Sequence, residues 1–377
     1  MKHKRILICP LDWGLGHATR CIPIIRYLLE KDIEVIVGTD KSPLELLKKE
    51  FFHHQVGGEL TFLRFPGYEI AYPEKGSMQV KILFSIPKIL WRIYKEHILL
   101  KKIIKEHKID LVISDNRFGL WNKSVSCIFI THQLMIKSPV AENFLFKINN
   151  FFIRKYNECW LPDDAGNDNL SGDLSHLYPL PANTFFIGAL SRFNQLAYLP
   201  GRQPTTVIMN GVEGQQSTTY DLMVILSGPE PQRTVFEKII MEQLKNCTLK
   251  TLVVRGVPEI NEHKTHADNI EVISHLQSEQ MQQSILNSKI ILARSGYSTI
   301  MDLPILAKKA IFVPTPGQTE QEYLAEYHLQ NKIAYSISQD KFNLNVALAA
   351  SQNYLGFVRR PICDEFKKRL ELIVNSD

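Results

Sequence analysis

The sequence predicts an α/β protein made of two Rossmann-like domains facing a cleft, and three observations carry this. Short, nearly continuous apolar runs alternate with amphipathic stretches along most of the 377 residues. That pattern belongs to parallel strands covered by helices on both faces. The alternation comes in two series of similar size, which suits a chain long enough for two domains. A stretch rich in Gly, Pro, Gln and Thr, "NQLAYLPGRQPTTVIMNGVEGQQSTTY" at 194–220, breaks the rhythm between them.

The first series opens with "RILICPL" (5–11), a buried strand, and a helix over 17–31 with Ile22, Ile25, Leu28 and Leu29 on one face. "EVIVGT" (34–39) is the second strand, followed by a helix near 42–50 and "TFLRFP" (61–66). A long helical region, 78–107, leads into "DLVISD" (110–115) and "CIFITHQ" (127–133). A helix near 140–156, "CWLPD" (159–163) and "FFIGAL" (185–190) complete the series. The second series has strands at 222–228, 251–256, 270–275, 289–294, 310–315 and 333–338, with helices between them. One or two helices from about 343 to 374 end the chain.

Composition narrows the classes. With 45% hydrophobic and 22% charged residues the chain is globular. Its net charge of +5 is too mild for a dedicated nucleic-acid binder, so no nucleic acid is expected as a partner. The charge is uneven: residues 78–108 hold eight Lys/Arg against two Glu. Ile82, Ile86, Ile89, Ile93, Leu100, Ile103 and Ile104 follow helical spacing there, with Pro87 marking a kink or a helix start. Lys88, Arg92 and Lys95 follow another face, with Trp91 and Tyr94 between them. Two readings stand: a core-facing helix with a solvated basic face, or a surface that docks on anionic membrane. The six cysteines are scattered without a CxxC pair, which fits reduced thiols rather than disulfides or a zinc site. Asp12 interrupts the first apolar run, so no signal peptide is expected, and no uncharged apolar run is long enough to span a bilayer. The expected location is cytoplasmic, with a peripheral contact on the inner face of the membrane.

Ligands of such folds sit at the carboxyl ends of the strands, so the residues just after each strand are the candidates. "DWGLGHATRC" (12–21) follows the first strand. It is not GxGxxG, and only Thr39 and Asp40 loosely match the acidic position a dinucleotide site needs. Gly14 and Gly16 permit close backbone approach, and free amides at a helix start favour an anion. His17 and Arg20 share a helix face. In the first turn, the positive end of the helix lowers the pKa of His17, so a neutral imidazole could take a proton from a substrate hydroxyl. A tight turn in which the histidine caps or packs is the competing reading. Asp115, with Asn116 and Arg117, and His132, with Gln133, stand at two further strand ends, to orient or activate a hydroxyl or to serve structure alone.

In the second half, "ARSGYSTIMDLPILAKKAIFVPTPGQTEQEYLAEY" (293–327) is the densest segment. Ser295 and Gly296 open a helix whose first-turn amides suit a phosphate, and Arg294 could add a charge-assisted contact to the same diphosphate. Asp302, two turns on, can accept from ribose hydroxyls. Gln318, Glu320, Gln321 and Glu322 after "PTPG" offer donors and acceptors to sugar hydroxyls. Ser227 and Gly228 in "LSGPE" (226–230) form another small-residue turn. As plain punctuation, the Gly and Pro residues would mean nothing more. No DxD and no His/Cys/Asp cluster with metal spacing is present, so no metal or other cofactor is expected.

These residues resemble a known family. "RSGYSTIMDL…KKAIFVPTPGQTEQEYLAE" is similar to the C-terminal domain of family 28 glycosyltransferases, the MurG-like enzymes with the two-domain GT-B fold. The match is strong over about 45 residues and collinear but weaker elsewhere, including the GxGH turn and the "THQ" loop. The resemblance implies an acceptor-side domain at 1–195, a nucleotide-sugar domain at 220–356 and a C-terminal helix, 357–377, crossing back to the first domain. It implies transfer of a hexose or N-acetylhexosamine from a UDP-sugar, read here as inverting and metal-independent, and a lipid-linked or cell-envelope acceptor would suit the basic aromatic region 78–108. The family's threonine falls on Thr299 and its ribose-binding acid on Asp302, one methylene shorter than the usual Glu. Its donor-sugar glutamine pair falls on Gln321 and Glu322, so one is retained. Its Gly-Gly-Ser turn falls on Ser227, Gly228 and Pro229. Its N-terminal loop falls on Gly14, Gly16 and His17, and its His-Glu-Gln stretch on Thr131, His132 and Gln133. These departures imply a member with an acceptor different from that of MurG. "GLGHATRC" also resembles the GSGHxxRC turn of the MurG-like UDP-sugar hydrolase of pseudaminic acid synthesis, whose histidine activates water. Hydrolase or epimerase action therefore stays open, as does a non-catalytic nucleotide-sugar-binding protein.

Overall fold

The computed structural model describes residues 4–52, 57–67, 78–137, 142–177, 179–193 and 219–375. The chain forms two compact units, Met1–Leu190 with Ile362–Asp377, and Ser191–Pro361.

In the first unit, β1 (Arg5–Pro10), β2 (Glu34–Thr39), β3 (Leu60–Arg64), β4 (Leu111–Asp115), β5 (Ser126–Ile130), β6 (Glu158–Leu161) and β7 (Thr184–Phe186) form one sheet. Its order is β3-β2-β1-β4-β5-β6-β7 and every pairing is parallel. β1 and β4 have no polar face because both faces are covered, so their near-continuous apolar runs belong at the centre. The chain reverses its direction across the sheet between β1 and β4, the switch point where such folds bind ligands. Register matters here: Pro10 pairs with Asp115, and Asp115 with Ile130, so β1, β4 and β5 end level.

α1 (Leu15–Glu30) and α2 (Lys41–Glu50) follow β1 and β2. α3 (Met78–His107) runs thirty residues straight through Pro87, which therefore is not a helix start. Ile93, Leu100 and Ile103 are buried, the latter two in a core with Leu7, Cys9 and Phe129. The opposite face exposes Leu90, Trp91, Tyr94 and Ile98. The side chains of Ile82 and Ile86 lie outside the described residues. α4 (Glu142–Ile153) and the short α5 (Asp173–His176) complete the covering.

The second unit repeats the plan with β8 (Tyr220–Ile225), α6 (Gln232–Leu244), β9 (Thr251–Val254), β10 (His263–Ala267), β11 (Ile270–Ile273), α7 (Ser278–Leu286) and β12 (Ser288–Ala293). It continues with α8 (Tyr297–Leu306), β13 (Ala310–Phe312), α9 (Thr319–Gln330), β14 (Tyr335–Ser336) and α10 (Leu344–Ser351). The order is β10-β11-β9-β8-β12-β13-β14, parallel except for the antiparallel edge strand β10. The sequence reading lacks β10 because all five of its residues are exposed and "HKTHA" carries no apolar signal.

α11 (Glu365–Asn375) returns to the first unit. Arg369 makes a two-pronged pair with Glu158, at 2.7 and 2.6 Å, and lies 3.3 Å from the centre of the Phe185 ring. Phe366 is buried and meets Tyr27 edge to face. The first unit ends at Leu190, so Ser191–Phe193 fold with the second unit; the rest of the Gly/Pro-rich stretch, 194–218, lies outside the described residues.

Candidate active site

The level ends of β1, β4 and β5 bring His17, Asp115 and His132 together, with Arg20 between them. Asp115, the last residue of β4, is fully buried. Arg20, also buried, donates to both of its carboxylate oxygens through Nε and Nη2. His17 Nδ1 lies 2.9 Å from Asp115 Oδ1, and Cys21 Sγ 3.6 Å from Oδ2. Arg20 Nη1 is 2.8 Å from His132 Nδ1. Helical spacing puts His17, Arg20 and Cys21 on the side of α1 that faces β4.

Electrostatics assigns the protons. Burial would raise the pKa of Asp115, but the Arg20 guanidinium and His17 hold it below the ordinary carboxylate range, so it is ionised. An ionised carboxylate can only accept, so His17 Nδ1 donates to it and leaves Nε2 with the lone pair. Arg20 Nη2 also lies 2.9 Å from His17 Nδ1, but that nitrogen's proton is directed to Asp115. Burial pushes the His17 pKa down; Asp115 opposes this, while Arg20 and His132 add to it. Its side chain is 18% exposed. Arg20 only donates, so His132 Nδ1 accepts, and a neutral His132 carries its proton on Nε2. The two rings therefore hold opposite neutral tautomers, His17 with its proton on Nδ1 and His132 with its proton on Nε2. Gly14 caps α1 in an extended conformation, and a Cβ there would meet nothing within 4 Å. Gly16 accepts from Thr19 Oγ1 through its carbonyl.

Arg20 is the residue that sequence reasoning saw only as a face-mate of His17; the signal was its i+3 spacing beside an acidic strand end. Arg117 proves to be a staple. Fully buried, it pairs with Glu96 at 2.8 Å and donates to the carbonyls of Gly38, Phe65 and Pro66.

In the second unit, Gly228 (φ +101°) needs glycine, and a Cβ there would lie 3.7 Å from Thr315 Oγ1. Gly296 caps α8 with no side-chain cap, leaving the positive end of that helix. Thr299 sits half-buried in the first turn. Gln321 is buried; its Oε1 accepts from Thr315 N at 2.9 Å and its carbonyl from Ser295 Oγ at 2.7 Å. Gln321 Nε2 lies 4.0 Å from a Cβ built on Gly296. Gln318 caps α9, and its Oε1 is buried without a hydrogen-bond partner among the described residues. Glu320 is half-buried, while exposed Glu322 accepts from Gly317 N at 2.8 Å. Ser227 is half-buried beside Gly228. The structure thus brings Gly228, Gly296, Thr315 and Gln321 together.

Three expectations are corrected. Arg294 does not face a phosphate: it is fully buried, lies over Phe236, and donates to the carbonyls of Val313, Pro314 and Gln232 and to Gln339 Oε1. Burial pulls its pKa down to about 10. Ser295 is fully buried too, its hydroxyl committed to the Gln321 carbonyl, so only its backbone remains for a ligand. Asp302 accepts from Ser191 Oγ at 2.5 Å and lies 3.5 Å from Arg192 Nε, so its carboxylate binds the strand-exit segment rather than presenting itself to a ribose. Burial pushes its pKa up. Among the described residues no three His, Cys, Asp or Glu side chains are grouped as metal ligands. No described helix is long and apolar enough to cross a membrane.

Comparison with known proteins bears on the fold and the class of protein. Residues 234–351 match the glycosyltransferase family 28 C-terminal domain. An uncharacterized glycosyltransferase of Methanosarcina mazei is 20% identical over 354 residues, covering 84% of this chain and 81% of its own. The UDP-N-acetylglucosamine--N-acetylmuramyl-(pentapeptide) pyrophosphoryl-undecaprenol N-acetylglucosamine transferase of Lactococcus lactis is 21% identical over 352 residues, covering 90% and 87%. The glycosyltransferase SsfS6 of Streptomyces sp. SF2575, solved with thymidine diphosphate, superposes with a TM-score of 0.56 at 12% identity, covering 93% and 90%. Fold and relatives define a glycosyltransferase of GT-B architecture. Within that class, residues 234–351 resemble the family 28 C-terminal domain, and the chain is similar over most of its length to the Lactococcus lactis transferase.

Proposed function

We propose that the protein transfers a hexose or N-acetylhexosamine from a UDP-sugar to an acceptor hydroxyl with inversion and without a metal, His17 being the base. The observation that carries this is the His17–Asp115–Arg20 arrangement, which leaves a neutral Nε2 lone pair at the mouth of the first unit's switch point. The acceptor oxygen attacks the anomeric carbon, Nε2 takes its proton, and the bond from that carbon to the UDP oxygen breaks. Ionised Asp115 stabilises the imidazolium that forms. In the second unit, the amides at the start of α8 and the Gly228 turn would meet the charge that grows on UDP. Gln318 Oε1 and Gln321 Nε2 would take hydroxyls of the donor sugar. The uridine and sugar identities rest on the resemblance and on what the Lactococcus lactis relative is named for.

The exposed face of α3 supports a peripheral membrane contact and hence a lipid-linked or envelope acceptor. Leu90, Trp91, Tyr94, Ile98 and Leu99 are exposed and interleaved with Lys88, Lys95, Lys101 and Lys102.

The test is incubation with a panel of UDP-hexoses, with and without a membrane extract as acceptor source, following UDP and sugar separately. Acceptor-dependent UDP release that persists in EDTA is expected. Stoichiometric free sugar without acceptor would mean a hydrolase, and tight binding with no turnover a sensor.

A further inference from the structure

The first unit holds a cavity of about 350 Å³ that the base cluster does not use. It lies at the carboxyl ends of β1, β2 and β3, on the other side of β1 from His17. Asp12, Gly67, Trp91, Lys41, Arg92 and Lys95 are among its walls. From these we propose a second binding pocket, specific for a sugar ring that carries a phosphate.

Asp12 is the anchor. Its side chain is buried, and Oδ2 accepts from the Gly67 amide at 3.0 Å. Oδ1 is buried with no hydrogen-bond partner among the described residues. Buried carboxylate oxygens are normally satisfied, so an empty one beside a cavity calls for a donor from a ligand. Gly67 keeps that oxygen uncovered: a Cβ at 67 would stand 2.6 Å from it. Of the other two carboxylates in the wall, Asp40 is matched by Arg64 at 2.7 Å, while Glu96 pairs with Arg117 at 2.8 Å through Oε1 and leaves Oε2 as a second buried acceptor without a hydrogen-bond partner among the described residues.

The remaining walls suit a phosphorylated sugar. Trp91 is 55% exposed, and the Lys95 ammonium lies 3.6 Å from its ring centre, which fixes a flat apolar wall beside a cation. Lys41, Arg92 and Lys95 give the wall a cationic side, while Asp12 offers a single acceptor for hydroxyls. A few placed polar groups with an aromatic wall are the ordinary make-up of a small-molecule site. The volume accommodates a ring and its phosphate, not an extended glycan. As the acceptor side of the transferase, this pocket rests on the His17 reading. It predicts an acceptor whose phosphorylated sugar sits across β1 from the base.

Calorimetric titration of the full-length protein, with UDP saturating the donor site, tests this. The probes are N-acetylglucosamine 1-phosphate and glucose 1-phosphate, against inorganic phosphate and methyl glucoside. One sugar phosphate should bind at least tenfold more tightly than either fragment. Trp91→Ala, at an exposed position that folding tolerates, and Asp12→Asn should each weaken it at least tenfold, and Gly67→Ala should do the same by covering Oδ1. Competition by phosphatidylinositol vesicles but not phosphatidylglycerol vesicles would assign the ligand to a lipid headgroup; competition by neither would assign it to a soluble sugar phosphate. Absence of binding by both sugar phosphates, or binding unchanged in Trp91→Ala and Asp12→Asn, overturns the proposal. A missing UDP heat instead counts against the donor reading and leaves this titration to be judged by itself.

Discussion

Replacing Asp115 by Asn changes one atom at the centre of the site and separates its two tasks. Asp115 now takes two bonds from Arg20 and one from His17. Asparagine has one oxygen. Arg20 Nε meets Oδ2 and Nη2 meets Oδ1, so either way round the asparagine NH2 collides with one Arg20 N–H in a site where Arg20 is 1% exposed. With the NH2 at the Oδ1 position it also faces His17 Nδ1, which must then accept, so the ring proton moves to Nε2 and the base is lost. With the NH2 at the Oδ2 position the His17 tautomer is kept, but the negative charge that stabilises the imidazolium is gone, and the base is weakened. Removing one partner of a buried ion pair typically costs about 3–5 kcal/mol. The retained Arg20–oxygen bond keeps the loss near the lower end, which shifts the melting point by roughly 6–12 °C for a unit of this size. Loss of the base should lower turnover by about 10²–10⁴. The assay is acceptor-dependent UDP release from a UDP-hexose well below the melting point, with UDP binding measured by calorimetry. A folded Asp115→Asn protein that turns over at the wild-type rate with an unchanged pH profile would refute the role given to Asp115.

Other outcomes follow from the same contacts. His17→Ala should reduce turnover by about 10²–10⁴ while UDP affinity stays within twofold, because the donor residues lie in the other unit; a matching loss of UDP binding would count against this. Turnover should stay flat through pH 6.5, with its acid limb lower, because the His17 pKa lies below its ordinary 6.5; a limb above 6.5 would contradict this. The same depression links to stability: the unfolded chain takes up a proton near pH 6.5 that the folded chain resists, so melting points should begin to fall there. Asp115 adds a further fall below pH 3.8, where its unfolded form protonates first. Arg294→Met strips the donor from four acceptors, two of them buried and two partly buried, and should cost about 3 kcal/mol, seen as a lower melting point, with UDP affinity nearly unchanged. A specific loss of UDP affinity in a stable protein would restore Arg294 as a phosphate ligand.

Much of this molecule is legible as pattern. The strands of both sheets, apart from β10, show because burial on two faces demands continuous apolar runs, and polar residues just past their ends mark the ligand edge. His17, Asp115 and His132 are readable individually for that reason. Their convergence depends on the register of β1, β4 and β5, which no local string encodes. Arg294 shows the limit. "ILARSG" reads the same whether the guanidinium turns out to a ligand or back under β13, and its acceptors come from residues 232, 313, 314 and 339. Asp302 is similar: its partners Ser191 and Arg192 are over a hundred positions away and carry no motif. The α3 pocket is equally silent, since an unpaired oxygen on Asp12 exists only once Gly67 is folded against it.

The central claim is tested most directly by following the sugar of a ¹³C-labelled UDP-hexose through wild-type and His17→Ala protein, with a membrane extract as acceptor. The account predicts that wild-type protein passes the label to acceptor material with the opposite anomeric configuration, and that His17→Ala does not although it still binds UDP. Label recovered wholly as free sugar, or transfer that survives in His17→Ala at the wild-type rate, would contradict it.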